Sequence, residues 1–111
     1  MTSDDTSAQP LTPVVLHTLL ALAEGPLHGY AVMKRVEEDS GMAMGPGTVY
    51  GSLQRLEEAG WIKEAGPAPG DARRGRAFAL TAAGKAALGV EGARLARLAR
   101  RVGRLRLDPA R

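Results

Sequence analysis

Cysteine is absent from the 111 residues, which removes disulfides, thiolate zinc sites, iron–sulfur clusters and thiol redox chemistry together. Histidine occurs only as His17 and His28, and no H-E-x-x-H spacing joins either to a carboxylate, so neither a metal nor any other cofactor is expected. Phe, Tyr and Trp total four, so the core has to be small and aliphatic. Long apolar runs are missing too. The longest, Val14 to Ala23, contains His17 and Thr18 and is far short of the ~20 residues that span a bilayer. The start, MTSDDTSAQP, is acidic where a secretory signal is basic and then apolar. A cytoplasmic, soluble chain with no membrane contact is expected, with residues 1–10 a disordered tail and 108–111 a second short one.

Catalytic signatures are lacking as well. Gly45-Pro46-Gly47 resembles the start of a dinucleotide fingerprint, but Tyr50 stands at the third glycine position and no strand precedes it. Gly84-Lys85 is followed by Ala86, where a phosphate loop needs Ser or Thr. No G-x-S-x-G motif appears, nor a carboxylate pair in an apolar setting, so no enzyme is expected.

What the chain does have is an uneven charge. Residues 1–60 carry 3 basic and 8 acidic groups (net −5), whereas residues 61–111 carry 12 basic and 4 acidic groups (net +8). Such an asymmetry points to a polyanionic partner, with a merely solvated basic face as the plain alternative.

Helix signals fill the acidic half. Thr12 is placed to cap a first helix with Pro13 at its first position, followed by the apolar residues Leu16, Leu19, Leu20 and Ala23 and a stop at Glu24-Gly25-Pro26. A second helix is expected from His28-Gly29-Tyr30 to Ser40, with Tyr30, Met33 and Val36 on one face. A third, from Gly47 to about Ala59, buries Val49, Leu53 and Leu56. Its polar side shows Thr48, Ser52 and Arg55 in an i, i+4, i+7 row, flanked by Tyr50, Gln54, Glu57 and Glu58, with Gly60 at its end.

After Gly60 the period changes. Residues 61–65 and 76–80 read as two strands of a hairpin whose ten-residue loop, GPAPGDARRG, holds Arg73 and Arg74. Thr81 then caps a last helix reaching about Leu107. Its Leu88, Leu95, Leu98, Val102 and Leu105 recur at spacings of 7, 3, 4 and 3, an apolar stripe suited to a second copy of the chain. The layout is mainly α (α+β), in the order H-H-H-E-E-H. It is that of a winged helix–turn–helix domain over residues 11–81 with a C-terminal dimerisation helix over 82–107. In that geometry the third helix enters the major groove of double-stranded DNA and the hairpin touches the backbone beside it. Thr48, Ser52 and Arg55 are then expected to face the groove, Tyr50 a phosphate or base edge, and Lys63, Arg73, Arg74 and Arg76 the flanking backbone or minor groove.

The residues also resemble a known family. LHGYAVMKRVEEDSG, GPGTVYGSLQRLEEAGWI and GRAFALTAAGKAAL are similar to successive segments of PadR-family transcriptional regulators, over roughly Pro13 to Ala87. The resemblance implies a homodimeric DNA-binding regulator, a repressor on a palindromic operator, of the compact branch with one C-terminal helix. Two positions depart from the family pattern: Gly51 stands where proline is usual, and Ala77 where the wing often has an aromatic. Members that hold flat aromatic drugs place tryptophan on the last helix; this helix has no aromatic residue, so no aromatic-stacking pocket is implied, and a small-molecule effector of unknown identity stays open. Two further readings stay open, a ligand-responsive drug or metabolite sensor and a protein-interaction module using the Arg-rich last helix.

Overall fold

The structure is a computed structural model, and it describes residues 10–66 and 76–107. Helix α1 (Pro13–Leu22) begins as its sequence dictates, with the Thr12 side chain accepting from the Val15 amide and proline at the first position. Its inward face is Thr18, Leu19, Ala21 and Leu22, while Leu20 is 43% exposed and Ala23 is open to solvent, so the buried stripe is rotated from the one the leucine spacing suggested. Thr18 tolerates burial because its hydroxyl donates to the Val14 carbonyl at 2.6 Å.

Strand β1 (Leu27–His28) leads directly into α2 (Gly29–Ser40). This two-residue strand is absent from the expected element order. It pairs antiparallel with β3, Leu27 opposite Phe78 and His28 opposite Ala77. Two residues are too few to show a strand period, and the pairing exists only because the hairpin folds back beside them. In α2 the buried positions are Gly29, Val32 and Val36, whereas Tyr30, expected inside, is 54% exposed.

Helix α3 (Pro46–Glu58) is followed by β2 (Ile62–Gly66) and β3 (Ala77–Leu80). The sheet order is β1-β3-β2, with Ile62 opposite Leu80, Lys63 opposite Ala79 and Glu64 opposite Phe78. Leu19, Leu22, Val32, Val36, Val49, Leu53, Leu56, Ile62, Phe78 and Leu80 close one core between the three helices and this small sheet. Each such side chain stabilises the fold by ~1.5–3 kcal/mol through burial alone.

Helix α4 (Ala82–Arg104) runs ~35 Å at the usual rise per residue. Its start is locked by a compact knot. The Thr81 amide donates to the Trp61 carbonyl at 3.0 Å, and the Thr81 hydroxyl donates to the Gly60 carbonyl at 2.6 Å while accepting from the Gly84 amide at 3.1 Å. Gly84 is buried with its α-carbon so close over the Trp61 carbonyl that a β-carbon there would overlap it. The Leu-Thr-x-x-Gly run therefore has a physical content: a core leucine, a helix cap, and the one residue able to sit against a backbone oxygen.

The division expected after residue 81 does not mark the edge of the core. Gly84 and Glu91 are buried, and Leu88 packs partly buried against the same cluster as Leu80. Leu88, expected in a dimer seam, thus already has a partner in its own chain. Beyond Glu91 the same stripe continues without cover among the described residues: Leu95 is 38% exposed, Leu98 39%, Val102 54% and Leu105 65%.

Candidate nucleic-acid interface

The outward side of α3 is determined by what the inward side buries. Val49, Ser52, Leu53 and Leu56 form the buried arc, which leaves Thr48, Tyr50, Gln54, Arg55 and Glu58 exposed. Ser52 is a correction. It is fully buried, and its Oγ has no hydrogen-bond partner among the described residues, so it cannot reach a base. Its hydroxyl pointed to the polar side, but a residue three after Val49 and four before Leu56 lies inside the apolar arc whatever its chemistry. Gln54, adjacent to Leu53 and opposite that arc, is exposed on the polar side where the sequence placed it as a flank of the row.

Thr48 and Arg55 flank the exposed face as expected, at the two ends of the helix. Among the described residues Arg55 makes no ion pair with the glutamates of its own helix; the ion pairs there are Arg35–Glu24, Arg76–Glu57, Arg76–Glu64 and Arg94–Glu91. Tyr50 is 44% exposed, and its ring lies against Gly29, where any β-carbon would collide with Cε1. The glycine of His28-Gly29-Tyr30 thereby fixes the tyrosine of α3. Lys63 is exposed on β2, opposite Ala79. Arg73 and Arg74 lie outside the described residues.

Arg76 is a second correction. Its Nη2 donates to both Glu57 carboxylate oxygens at 2.8 and 2.9 Å, its Nε lies 3.3 Å from a Glu64 oxygen, and the guanidinium sits 5.1 Å from the Phe78 ring centre. The hydrogen bond to Glu57 holds this guanidinium even more firmly protonated than usual, with the charges of Glu57 and Glu64 adding to it. A side chain engaged by two carboxylates is not a free phosphate ligand. The sequence could not show this, because the pairs span three elements that meet only when the hairpin folds beside α3.

Between α3 and the foot of the hairpin lies an open groove of about 630 Å³, lined by Tyr50, Gln54, Glu57, Glu58, Arg76 and Phe78 among others. Its carboxylates make it unsuited to an anionic small molecule. Among the described residues no three His, Asp or Glu side chains cluster as metal ligands, and no helix is long and apolar enough to cross a membrane.

Three helices around an aliphatic core, an exposed third helix and a hairpin beside it define a winged helix–turn–helix protein. Residues 18–90 match the Transcriptional regulator PadR-like family, and the chain belongs to that family. It is 45% identical over 84 residues to an uncharacterized 37.1 kDa protein in transposon TN4556 of Streptomyces fradiae, spanning 76% of this chain but 23% of that protein. Among solved structures, a PadR family transcription regulator from Clostridium difficile superposes with a TM-score of 0.72 at 23% identity, covering 85% of this chain and 98% of that one. RosR of H. salinarum superposes with a TM-score of 0.61 at 28% identity, covering 73% and 70%. Bacillus subtilis PadR, solved in complex with operator DNA, gives 0.62 at 24% identity, covering 73% of this chain and 47% of that chain. The family and the Clostridium difficile neighbour are described as transcription regulators.

Proposed function

We propose that the chain is a homodimeric, DNA-binding transcriptional repressor that places two copies of α3 in successive major grooves of a palindromic operator, about 34 Å apart. The observation that carries this reading is the exposed face of α3, where Thr48, Gln54 and Arg55 stand beside Tyr50 on a helix whose other side is core. Gln and Arg are the side chains that pair in bidentate fashion with adenine and guanine edges. Tyr50, Lys63, Arg73 and Arg74 serve the sugar–phosphate backbone, which sets register without reading sequence. That Bacillus subtilis PadR is solved with operator DNA supports the same use of the shared fold.

Dimerisation is supported by the stripe Leu95, Leu98, Val102 and Leu105, which the described residues leave exposed and a second copy would cover. The arginines around it, Arg97, Arg100, Arg101 and Arg104, keep the surrounding surface wet. Such a regulator works in the cytoplasm beside its DNA and needs no cofactor.

Fluorescence anisotropy on duplexes tiled across the DNA upstream of its own gene, at several salt concentrations, tests the reading. One duplex should be preferred over a scrambled control. Changing Arg73 and Arg74 together to Ala should weaken binding to every duplex and flatten the salt slope by about 1–2 units. Arg55→Ala should instead change the preference among duplexes by ~1–3 kcal/mol. No binding to any duplex, even at the lowest salt concentration, would remove DNA as the partner.

A further inference from the structure

Arg76 joins three elements at one guanidinium. Glu57 comes from the last turn of α3, Glu64 from the middle of β2, and Arg76 itself from the position just before β3. Nη2 donates to both Glu57 oxygens and Nε lies 3.3 Å from a Glu64 oxygen, so one guanidinium is shared between two carboxylates. Phe78 holds the plane of the group from below. It is itself fixed, being 7% exposed, opposite Glu64 on one side and Leu27 on the other. A planar fork held at both carboxylates and on a ring has one orientation, where a lysine ammonium would have many.

We infer that Arg76 is a positioning residue, a clamp that sets the angle of the hairpin against the recognition helix and so couples wing contacts to base contacts. This rests on the DNA-binding reading above. The clamp stands at the edge of the groove between α3 and the hairpin, where any change in hairpin angle changes the distance from Lys63 to the exposed face of α3. Its members are all partly exposed, with side chains 34–52% accessible. It therefore adds little to global stability, and its effect falls on geometry.

The clamp makes an expectation opposite to that of simple electrostatics. Glu57→Gln removes a negative charge beside the exposed face of α3, which by charge alone strengthens binding. Through the clamp it weakens binding to the preferred duplex by roughly five- to twentyfold, as does Arg76→Ala, and the double variant is no weaker than either alone. The salt slope stays within about half a unit of the parent, since no phosphate contact is lost; losing one would lower it by ~0.9. Arg76→Lys keeps the charge but not the fork, and should resemble Arg76→Ala. Binding to the scrambled duplex should change by less than about twofold in all of them. Tighter binding by Glu57→Gln, a slope lowered by about 0.9 in Arg76→Ala, or full rescue by Arg76→Lys would overturn the clamp and return Arg76 to the phosphate contacts.

A measurement without DNA keeps the two readings apart. In the free protein, Arg76→Ala and Glu57→Gln should shift the same backbone amide resonances over 56–66 and 76–80, and the double variant should shift them no further. Separate, additive shifts would overturn the clamp even if the parent binds DNA. Shared shifts in a parent that binds no duplex would leave the clamp standing and refute the DNA reading instead.

Discussion

Replacing Gly84 by alanine tests how the last helix is seated. In an open helix this change is favourable, recovering up to ~1 kcal/mol of helix propensity. At Gly84 the new methyl meets the Trp61 carbonyl oxygen, a backbone atom that already accepts from the Thr81 amide and so cannot turn aside. Overpacking of this kind costs ~1–3 kcal/mol. Relief by sliding α4 outward would lengthen the Thr81 cap to the Gly84 amide, at about 1 kcal/mol for a lost cap. The balance is a net loss of roughly 1–3 kcal/mol, or ~5–20 °C in midpoint for a domain near 100 residues. Gly89→Ala and Gly92→Ala form the control, because nothing lies within 4 Å of a β-carbon at either. Each should gain up to ~1 kcal/mol. Urea and thermal unfolding followed by circular dichroism, with all variants at one concentration, give the comparison. If Gly84→Ala proves as stabilising as the two controls, the close seating of α4 on Trp61 is refuted.

Three other outcomes follow from particular contacts. Ser52→Ala removes a buried hydroxyl with no partner among the described residues, so stability should hold or rise by up to ~1 kcal/mol, with duplex preference unchanged. A changed preference would put Ser52 back on the groove side. Glu91 is 3% exposed, and the hydrogen bond from Arg94 holds its carboxyl below the usual range, with the Leu11 backbone adding to that. A folded-state pKa lowered in this way contributes stability that is present above the unfolded value and is lost as pH falls through the folded one. Glu91→Gln should therefore flatten the acid side of the stability profile without changing its slope above neutrality; an unchanged acid limb would refute the assignment. Leu98→Glu puts a charge into the bare stripe of α4 and should yield monomers in light scattering, with the fold of residues 10–92 intact by circular dichroism. A variant that remains dimeric would move the interface elsewhere.

Much of the fold was legible in the order of residues because its signals are local. Thr12-Pro13 and Thr81 start helices through their own hydroxyls and ring, and Gly60, at φ 84°, marks where the chain leaves the third helix. The motif segments that carried the resemblance lie largely within residues 18–90, the span matched by the family. Most of the candidate interface was legible as well. Thr48, Tyr50 and Arg55 are exposed because Val49, Leu53 and Leu56 orient α3, and Lys63 is exposed on β2 beside the buried Ile62.

The misses share one cause, which is that burial and pairing are properties of neighbours distant in sequence. Ser52 is inside because α3 turns the whole arc from Val49 to Leu56 toward the core, and the helix period overrides the hydroxyl. Leu27 and His28 are a strand only because β3 lies beside them. Arg76 counted as one more basic group of the +8 half until folding set it between Glu57, 19 positions away, and Glu64. The stripe from Leu88 to Leu105 is one pattern in sequence and two environments in space. Its first turns are covered by the chain's own core, and the rest extends past the domain, where a helix this long outruns a core this small.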